Sequence, residues 1–176
     1  FQNYVDDLHN FIKKIVVKQS TTKPYILAHS MGGAIAIRLM QDFPELIKAA
    51  VVSSPMLGFN SGLLPQGLAK LMISSKLRFN RLFSKTPWYF WGQKDYRQTD
   101  FSKNKLSHSL PRYQLFNRLY EQNKKIQLGG VTTHWLAESI KAQKEIFEKI
   151  NLLKTPILLL QAGKDCIVSQ EAQNDF

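Results

Sequence analysis

The sequence predicts an α/β fold, a parallel sheet flanked by helices, with a mostly helical insertion between two of its strands. Three observations predict it. Residues 1–55 alternate helical and strand patterns in the order helix, strand, helix, strand. A further apolar strand arrives only at Thr155-Pro156-Ile157-Leu158-Leu159-Leu160-Gln161-Ala162. Between them, from residue 56 to about residue 128, no clear strand pattern occurs. The expected organisation is core at 1–55, helical insertion at 56–132, and return to the core at 133–176.

Taken in order, residues 1–19 space Tyr4, Val5, Leu8, Phe11, Ile12, Ile15 and Val16 at threes and fours. Asp6 and Asp7 come early and Lys13, Lys14 and Lys18 late, so an amphipathic helix with charges matched to its dipole is expected. Lys23-Pro24 punctuates the entry to the apolar run Tyr25-Ile26-Leu27-Ala28, a strand. Ala34, Ile35, Ile37, Leu39 and Met40 then make a buried helix that ends near Phe43-Pro44. Ala49-Ala50-Val51-Val52 is a continuous apolar run of the kind found in parallel strands covered on both faces.

In the insertion Met56, Leu57, Phe59, Leu63, Leu64, Leu68, Leu71 and Met72 are loosely spaced. Lys76, Arg78, Arg81 and Lys85 follow, interleaved with Leu77, Phe79, Leu82 and Phe83. Residues 86–104 read as loop despite Trp88, Tyr89, Phe90, Trp91, Tyr96 and Phe101, and residues 110–120 return to helix. Residues 133–150 form an amphipathic helix expected to turn Trp135, Ile140, Ile146 and Phe147 inward.

The stretch Ala28-His29-Ser30-Met31-Gly32-Gly33 joins strand to helix through small residues, the pattern of a nucleophile elbow. Such a bend lifts the serine hydroxyl clear of the sheet and brings the residues two before and two after it together, so Ala28 and Gly32 are expected to be small for steric reasons. The competing reading is a serine cap on an ordinary helix. With the elbow, Ser30 is a candidate nucleophile, and the Met31 N–H, at the positive end of the helix, is a candidate oxyanion donor. Asp165, in the turn after the late strand, is a candidate acid; the competing reading is an Asp that shapes a turn.

Charge is uneven. Of the 24 Lys+Arg and 13 Asp+Glu behind the net +11, residues 58–150 hold 16 and 6, a local net of +10. No apolar run approaches the length of a membrane span, so membrane contact is expected to be peripheral. Cys166 has no partner for an internal disulfide, which suits a reducing compartment. No cluster of His, Cys and carboxylates has metal-ligand spacing, and neither metal nor cofactor is expected. The chain opens on Phe1 and stops at Asp175-Phe176, and it reads as an internal piece of a longer protein.

An elbow serine, a helical insertion and an acid after a late strand resemble an α/β-hydrolase, whose triad runs Ser, Asp or Glu, then His. Tyr4-Val5-Asp6-Asp7-Leu8, the elbow stretch 25–35, Gly129-Gly130-Val131-Thr132-Thr133-His134-Trp135 and Leu158-Leu159-Leu160-Gln161-Ala162 resemble the bacterial lysophospholipase L2 family, including the alanine at position 28. That family is similar to monoacylglycerol lipases. The resemblance implies ester hydrolysis of a single-chain glycerophospholipid, with Ser30 as nucleophile and Asp165 orienting a histidine. It implies His29 as a neighbour of the nucleophile, His134 as a pocket residue, and an apolar tunnel using Met56, Leu57, Phe59, Leu64 and Leu68. His9, His29, His108 and His134 all precede Asp165, so the catalytic histidine is expected beyond Phe176 and the first strands before Phe1. Residues 1–176 alone are then expected to be inactive, with one edge of the sheet open.

A lipid substrate gives the basic insertion a reading. Lys76, Arg78, Arg81, Lys85, Lys94 and Arg97 among Phe79, Phe83, Trp88, Tyr89, Trp91 and Tyr96 suit an anionic membrane surface, with the protein peripheral on the cytoplasmic face of a bacterial inner membrane. The alternatives are a solvated face or a basic nucleic-acid-binding module. No recognised nucleic-acid motif is present and the elbow would go unexplained, so nucleic acid is not an expected partner. A monoacylglycerol lipase, an acyltransferase using the same acyl-enzyme, and a non-catalytic relative are the other functions weighed.

Overall fold

The apolar runs pair as strands β1 (Tyr25–His29), β2 (Ala49–Ser53) and β3 (Ile157–Leu160), all parallel, in the order β1-β2-β3. The computed structural model describes residues 1–60 and 66–176, so Leu63 and Leu64 lie outside the described residues. Two compact units divide the chain, one comprising Phe1–Gln66 and Ala137–Phe176, the other Gly67–Leu136.

In the first unit the register sets Leu27, Val51 and Leu158 in one row and His29, Ser53 and Leu160 in the next. Side chains alternate between the faces of a strand, and the two faces differ sharply. Ala50 and Val52 are 4% and 0% exposed, whereas Leu27 and Leu158 are 81% and 58% exposed. The expectation of cover on both faces, made for β2, is met only in part among the described residues: Ala50 and Val52 are buried, and Ala49 and Val51 half-buried. Helix α2 (Met31–Asp42) lies against the covered face, where Gly33 meets Val52 and Pro55. Strand β1 has β2 on one side and no strand on the other among the described residues.

Residues 33–41 of α2 are all buried, and its polar side chains are paired as such burial demands. Arg38, 3% exposed, reaches Asp42 at 3.1 Å and Glu145 at 3.8 Å and donates to Gln41 Oε1. Gln41 in turn donates to the carbonyl of Ile146 at 2.7 Å. Helix α1 (Gln2–Phe11) continues through a wide turn at Ile12–Val16 and a 3₁₀ turn at Val17–Gln19. Its first turn holds no acid, because Asp6 and Asp7 fall deeper in the helix, so the expected dipole match is made only at the far end, where Lys13, Lys14 and Lys18 lie in the closing turns. Val5 and Ile12 are buried, but Tyr4, Phe11 and Ile15 are exposed.

The next four helices are α3 (Gln66–Phe83), α4 (Leu110–Gln122), α5 (Thr133–Glu148) and the short α6 (Gln170–Asn174). From residue 137 onward α5 belongs to the first unit, and there its buried ridge is Ser139, Ala142, Gln143 and Ile146. Trp135, Ile140 and Phe147 are only half-buried. Periodicity favoured the large apolar residues, yet at Gln143 the ridge meets the Met56 carbonyl, which calls for a donor rather than a methyl group.

The second unit holds α3 and α4 and a loop pinned by side chains. Asn80, 4% exposed, donates to the Thr86 carbonyl and accepts from the Trp88 N–H, each at 2.8 Å. Tyr89 bridges antiparallel to Thr132, and its hydroxyl donates to Asp95 at 2.6 Å, which raises the phenol's pKa above its ordinary value. Lys76 Nζ lies 4.3 Å from the centre of the Trp91 ring, within cation-π range.

Candidate active site

The end of β1 delivers Ser30 in a conformation few residues adopt, φ 52° and ψ −120°. Holding a non-glycine residue there costs about 1–3 kcal/mol and requires surroundings that over-determine it. The surroundings do. The Ser30 N–H donates to the Ser53 carbonyl at 3.0 Å, extending the ladder by one residue. The Ser30 carbonyl accepts from Gly33 at 3.0 Å, Ala34 at 3.3 Å and Met56 at 3.0 Å. Its side chain makes no capping hydrogen bond to α2, although Ser30 occupies the capping position. That separates it from the ordinary serine cap. As the first residue of α2, Met31 has no acceptor for its N–H within the helix.

The steric part of the elbow argument needs correcting. Among the described residues a Cβ on Gly32 would meet nothing within 4 Å outside its own helix and chain neighbours, so Ala28 does not force glycine there. The demand falls on Gly33, whose Cβ would stand 2.9 Å from Pro55 Cβ and 3.1 Å from Pro55 Cα. The bend presses the helix against the segment that leaves β2, not against its own strand.

Asp165 is half-buried in the turn after β3. Its Oδ1 accepts from the N–H groups of Ile167 at 2.8 Å and Val168 at 3.0 Å, so one oxygen shapes the turn. Its Oδ2 makes no hydrogen bond among the described residues, leaving an acceptor for a further donor. One oxygen therefore serves the turn, and the other is left as an acceptor.

The remaining candidates scatter. His29 is exposed, and its Nδ1 lies 3.0 Å from the Ser53 carbonyl; a carbonyl only accepts, so Nδ1 carries a proton and donates. Met56 and Leu57, 3% and 2% exposed, are packed in the first unit's core. His134 is exposed in the first turn of α5, in the second unit. Among the described residues no histidine hydrogen-bonds to Ser30 or Asp165, and no three His, Cys, Asp or Glu residues group as a metal site.

Sequence reasoning missed four residues around the elbow. Ser54 takes φ 43°, the second non-glycine residue with positive φ among the described residues. Gln173 donates to the Pro55 carbonyl at 3.1 Å and Gln143 to the Met56 carbonyl at 3.3 Å, both from buried side chains. Gly58 lies against Ser169 and Ala172. The only signal in the sequence was Ser53-Ser54-Pro55 directly after an apolar run, which marks a turn without saying what the turn holds.

A parallel sheet with a strained serine ending one strand, helices on its covered face and an acid past another strand defines an α/β-hydrolase core. The chain belongs to the Hydrolase_4 family, described as serine aminopeptidase S33, whose model matches residues 1–176. It is 34% identical to lysophospholipase L2 of Escherichia coli K12 over 176 residues, which is 100% of this chain and 51% of that protein. It is 32% identical over 171 residues to the probable lysophospholipase L2 of Haemophilus influenzae, covering 97% of this chain and 53% of that protein. The chain therefore spans about half the length of the curated relatives it matches. In fold it is similar to a monoacylglycerol lipase from Paleococcus ferrophilus, with TM-score 0.66 and 19% identity over 97% of this chain and 58% of that one. It is similar also to a soluble variant of monoglyceride lipase from Saccharomyces cerevisiae, with TM-score 0.67 and 13% identity over 98% of this chain and 54% of that one.

Proposed function

We propose that the whole protein is a serine ester hydrolase of the lysophospholipase type, releasing a fatty acid from a single-chain glycerophospholipid. The observation that carries this reading is Ser30, held by its backbone at φ 52° with its side chain not spent on capping. The names of the bacterial relatives supply the substrate class. The Ser30 oxygen attacks the ester carbonyl while its proton passes to a histidine outside residues 1–176. The Met31 N–H and a second N–H outside the chain receive the oxyanion. The bond to the glycerol oxygen then breaks, with the proton returned to that oxygen. Water attacks the acyl-enzyme with the same base, freeing the fatty acid and restoring Ser30. Asp165 holds the histidine's tautomer and stabilises its charged form.

The test is fatty-acid release by the whole protein from a lysophosphatidylethanolamine and from the matching monoacylglycerol. A higher kcat/KM on the lysophospholipid is expected. Release from the monoacylglycerol alone would move the assignment to a monoacylglycerol lipase, and release from neither would overturn it.

The same reading puts the protein peripherally on an anionic membrane, at the cytoplasmic face of a bacterial inner membrane. No helix among the described residues is long and apolar enough to cross one. Support comes from α3, whose exposed side chains Leu68, Leu71, Phe79, Leu82 and Phe83 recur at helical spacing, with exposed Arg78 and Arg81 beside them. Lys76, Tyr89 and Tyr96 drop out of the expected membrane set: Lys76 is engaged by Trp91, Tyr89 by Asp95, and the Tyr96 hydroxyl is buried. Each cation at an anionic surface contributes about 1 kcal/mol, and salt weakens it. The whole protein is expected to float with vesicles containing phosphatidylglycerol, less so in high salt and less so as Arg78→Glu/Arg81→Glu, with hydrolysis of a soluble short-chain ester retained. Equal flotation with neutral vesicles would leave the charge as a solvated face.

A further inference from the structure

The segment that leaves β2 touches both halves of the candidate site. At its start, Ser53 accepts from the Ser30 N–H and Met56 donates to the Ser30 carbonyl, each at 3.0 Å. Between them Ser54, at φ 43°, donates to the carbonyl of Leu160, the last residue of β3, at 2.7 Å. At its far end the segment pairs antiparallel with the loop that holds the acid. Phe59 bridges Val168, Asn60 donates to the Ile167 carbonyl at 2.9 Å, and the Gly58 carbonyl accepts from Ser169 at 2.9 Å. Ile167 and Val168 are the residues whose N–H groups hold Asp165 Oδ1.

We propose that residues 53–60 form a positioning strap that sets the Ser30 hydroxyl relative to the Asp165 carboxylate, and that the missing side chain of Gly58 fixes the acid loop's distance from it. This rests on the assignment of Ser30 and Asp165 as nucleophile and acid. The strap has little room to yield. Pro55 is wedged against Gly33, and the Pro55 and Met56 carbonyls are anchored by the buried amides of Gln173 and Gln143. The acid loop closes on it directly. A Cβ on Gly58 would stand 2.8 Å from Ala172 Cβ and 3.2 Å from Ser169 Cβ, distances at which α6 and its cap must move. Ser169 is next in the chain to Val168, so the displacement passes to the N–H groups that aim the carboxylate. Gly58 is not in the left-handed region, so alanine brings steric conflict without backbone strain.

The experiment is Gly58→Ala in the whole protein, with active sites titrated by a serine-directed phosphonate so that kcat refers to competent molecules. Misplacement of a catalytic group by about 1 Å costs on the order of 100-fold, so kcat should fall by about 10- to 100-fold with KM little changed. Adding Ala172→Gly, which removes the opposing methyl, should restore most of the loss. A purely structural role would lower thermal stability while leaving titrated kcat intact, and that result overturns the strap, as does failure of Ala172→Gly to restore kcat. Ser30→Ala and Asp165→Asn run alongside: if either keeps full activity the site assignment itself fails, whatever Gly58→Ala does. Should Gly58→Ala not fold, Gln173→Met, which keeps volume but removes the donor to Pro55, is read in the same way, with unchanged kcat counting against the proposal.

Discussion

Ser30→Ala in the whole protein should fold normally and lose ester turnover by a factor on the order of 10⁶, the loss seen when a serine hydrolase loses its nucleophile. Folding is expected to survive because the four backbone hydrogen bonds that hold the bend involve the Ser30 N–H and carbonyl, which alanine keeps. The hydroxyl is not needed to cap α2. Alanine tolerates positive φ no better than serine, so the strain is common to both and cancels in the comparison. A fluorophosphonate should label the parent protein on the peptide carrying Ser30 and leave the variant unlabelled. Labelling of another serine, or full turnover by the variant, would take the nucleophile away from this position.

Asp165→Asn should produce the second-largest effect, a fall in kcat of about 10⁴-fold, with thermal stability nearly unchanged. The two oxygens explain why asparagine is the informative choice. An amide oxygen can still accept from Ile167 and Val168, so the turn is preserved. What the variant loses is the negative charge that would steady a protonated imidazole. Asp165→Ala removes both functions and would not tell them apart. Near-normal kcat in the asparagine variant, measured beside its melting temperature, would reduce Asp165 to a turn-shaping residue.

Local chemistry was what the sequence made legible. Continuous apolar runs placed three strands, Lys23-Pro24 and Phe43-Pro44 bracketed the strand and helix around Ser30, and small residues marked the bend. Features set by distant parts of the chain were not legible. Nothing near Gly33 announces that Pro55 will press on it, and nothing near Gly58 announces Ala172. Gln143 and Gln173 belong to no motif, yet each is buried with its amide donating to a backbone carbonyl. The exposed face of β1 and β3 was not legible for the same reason: composition shows that Leu27 and Leu158 favour burial, not whether anything in residues 1–176 covers them. The local partners of Lys76 and Tyr89, and the burial of the Tyr96 hydroxyl, were likewise not legible, because each depends on how the loop folds within the second unit.

The parallel order β1-β2-β3 also sets a timetable for assembly. Nineteen residues, nearly all of them α2 and its flanking turns, separate the end of β1 from the start of β2, whereas 103 separate β2 from β3. For flexible connections the entropy of closing the longer loop costs about 1.5 kcal/mol more, and pairing across such a span is slow. Strands β1 and β2 with α2 are therefore expected to come together first, with β3 docking onto a pair already formed. The hydrogen bonds to the Ser30 backbone come from Gly33, Ala34, Ser53 and Met56, so they form without the strand leading to Asp165, whose arrival adds the anchors at Ser54, Pro55 and Met56. On that order the backbone around Ser30 is set before the turn that carries Asp165 is fitted to it.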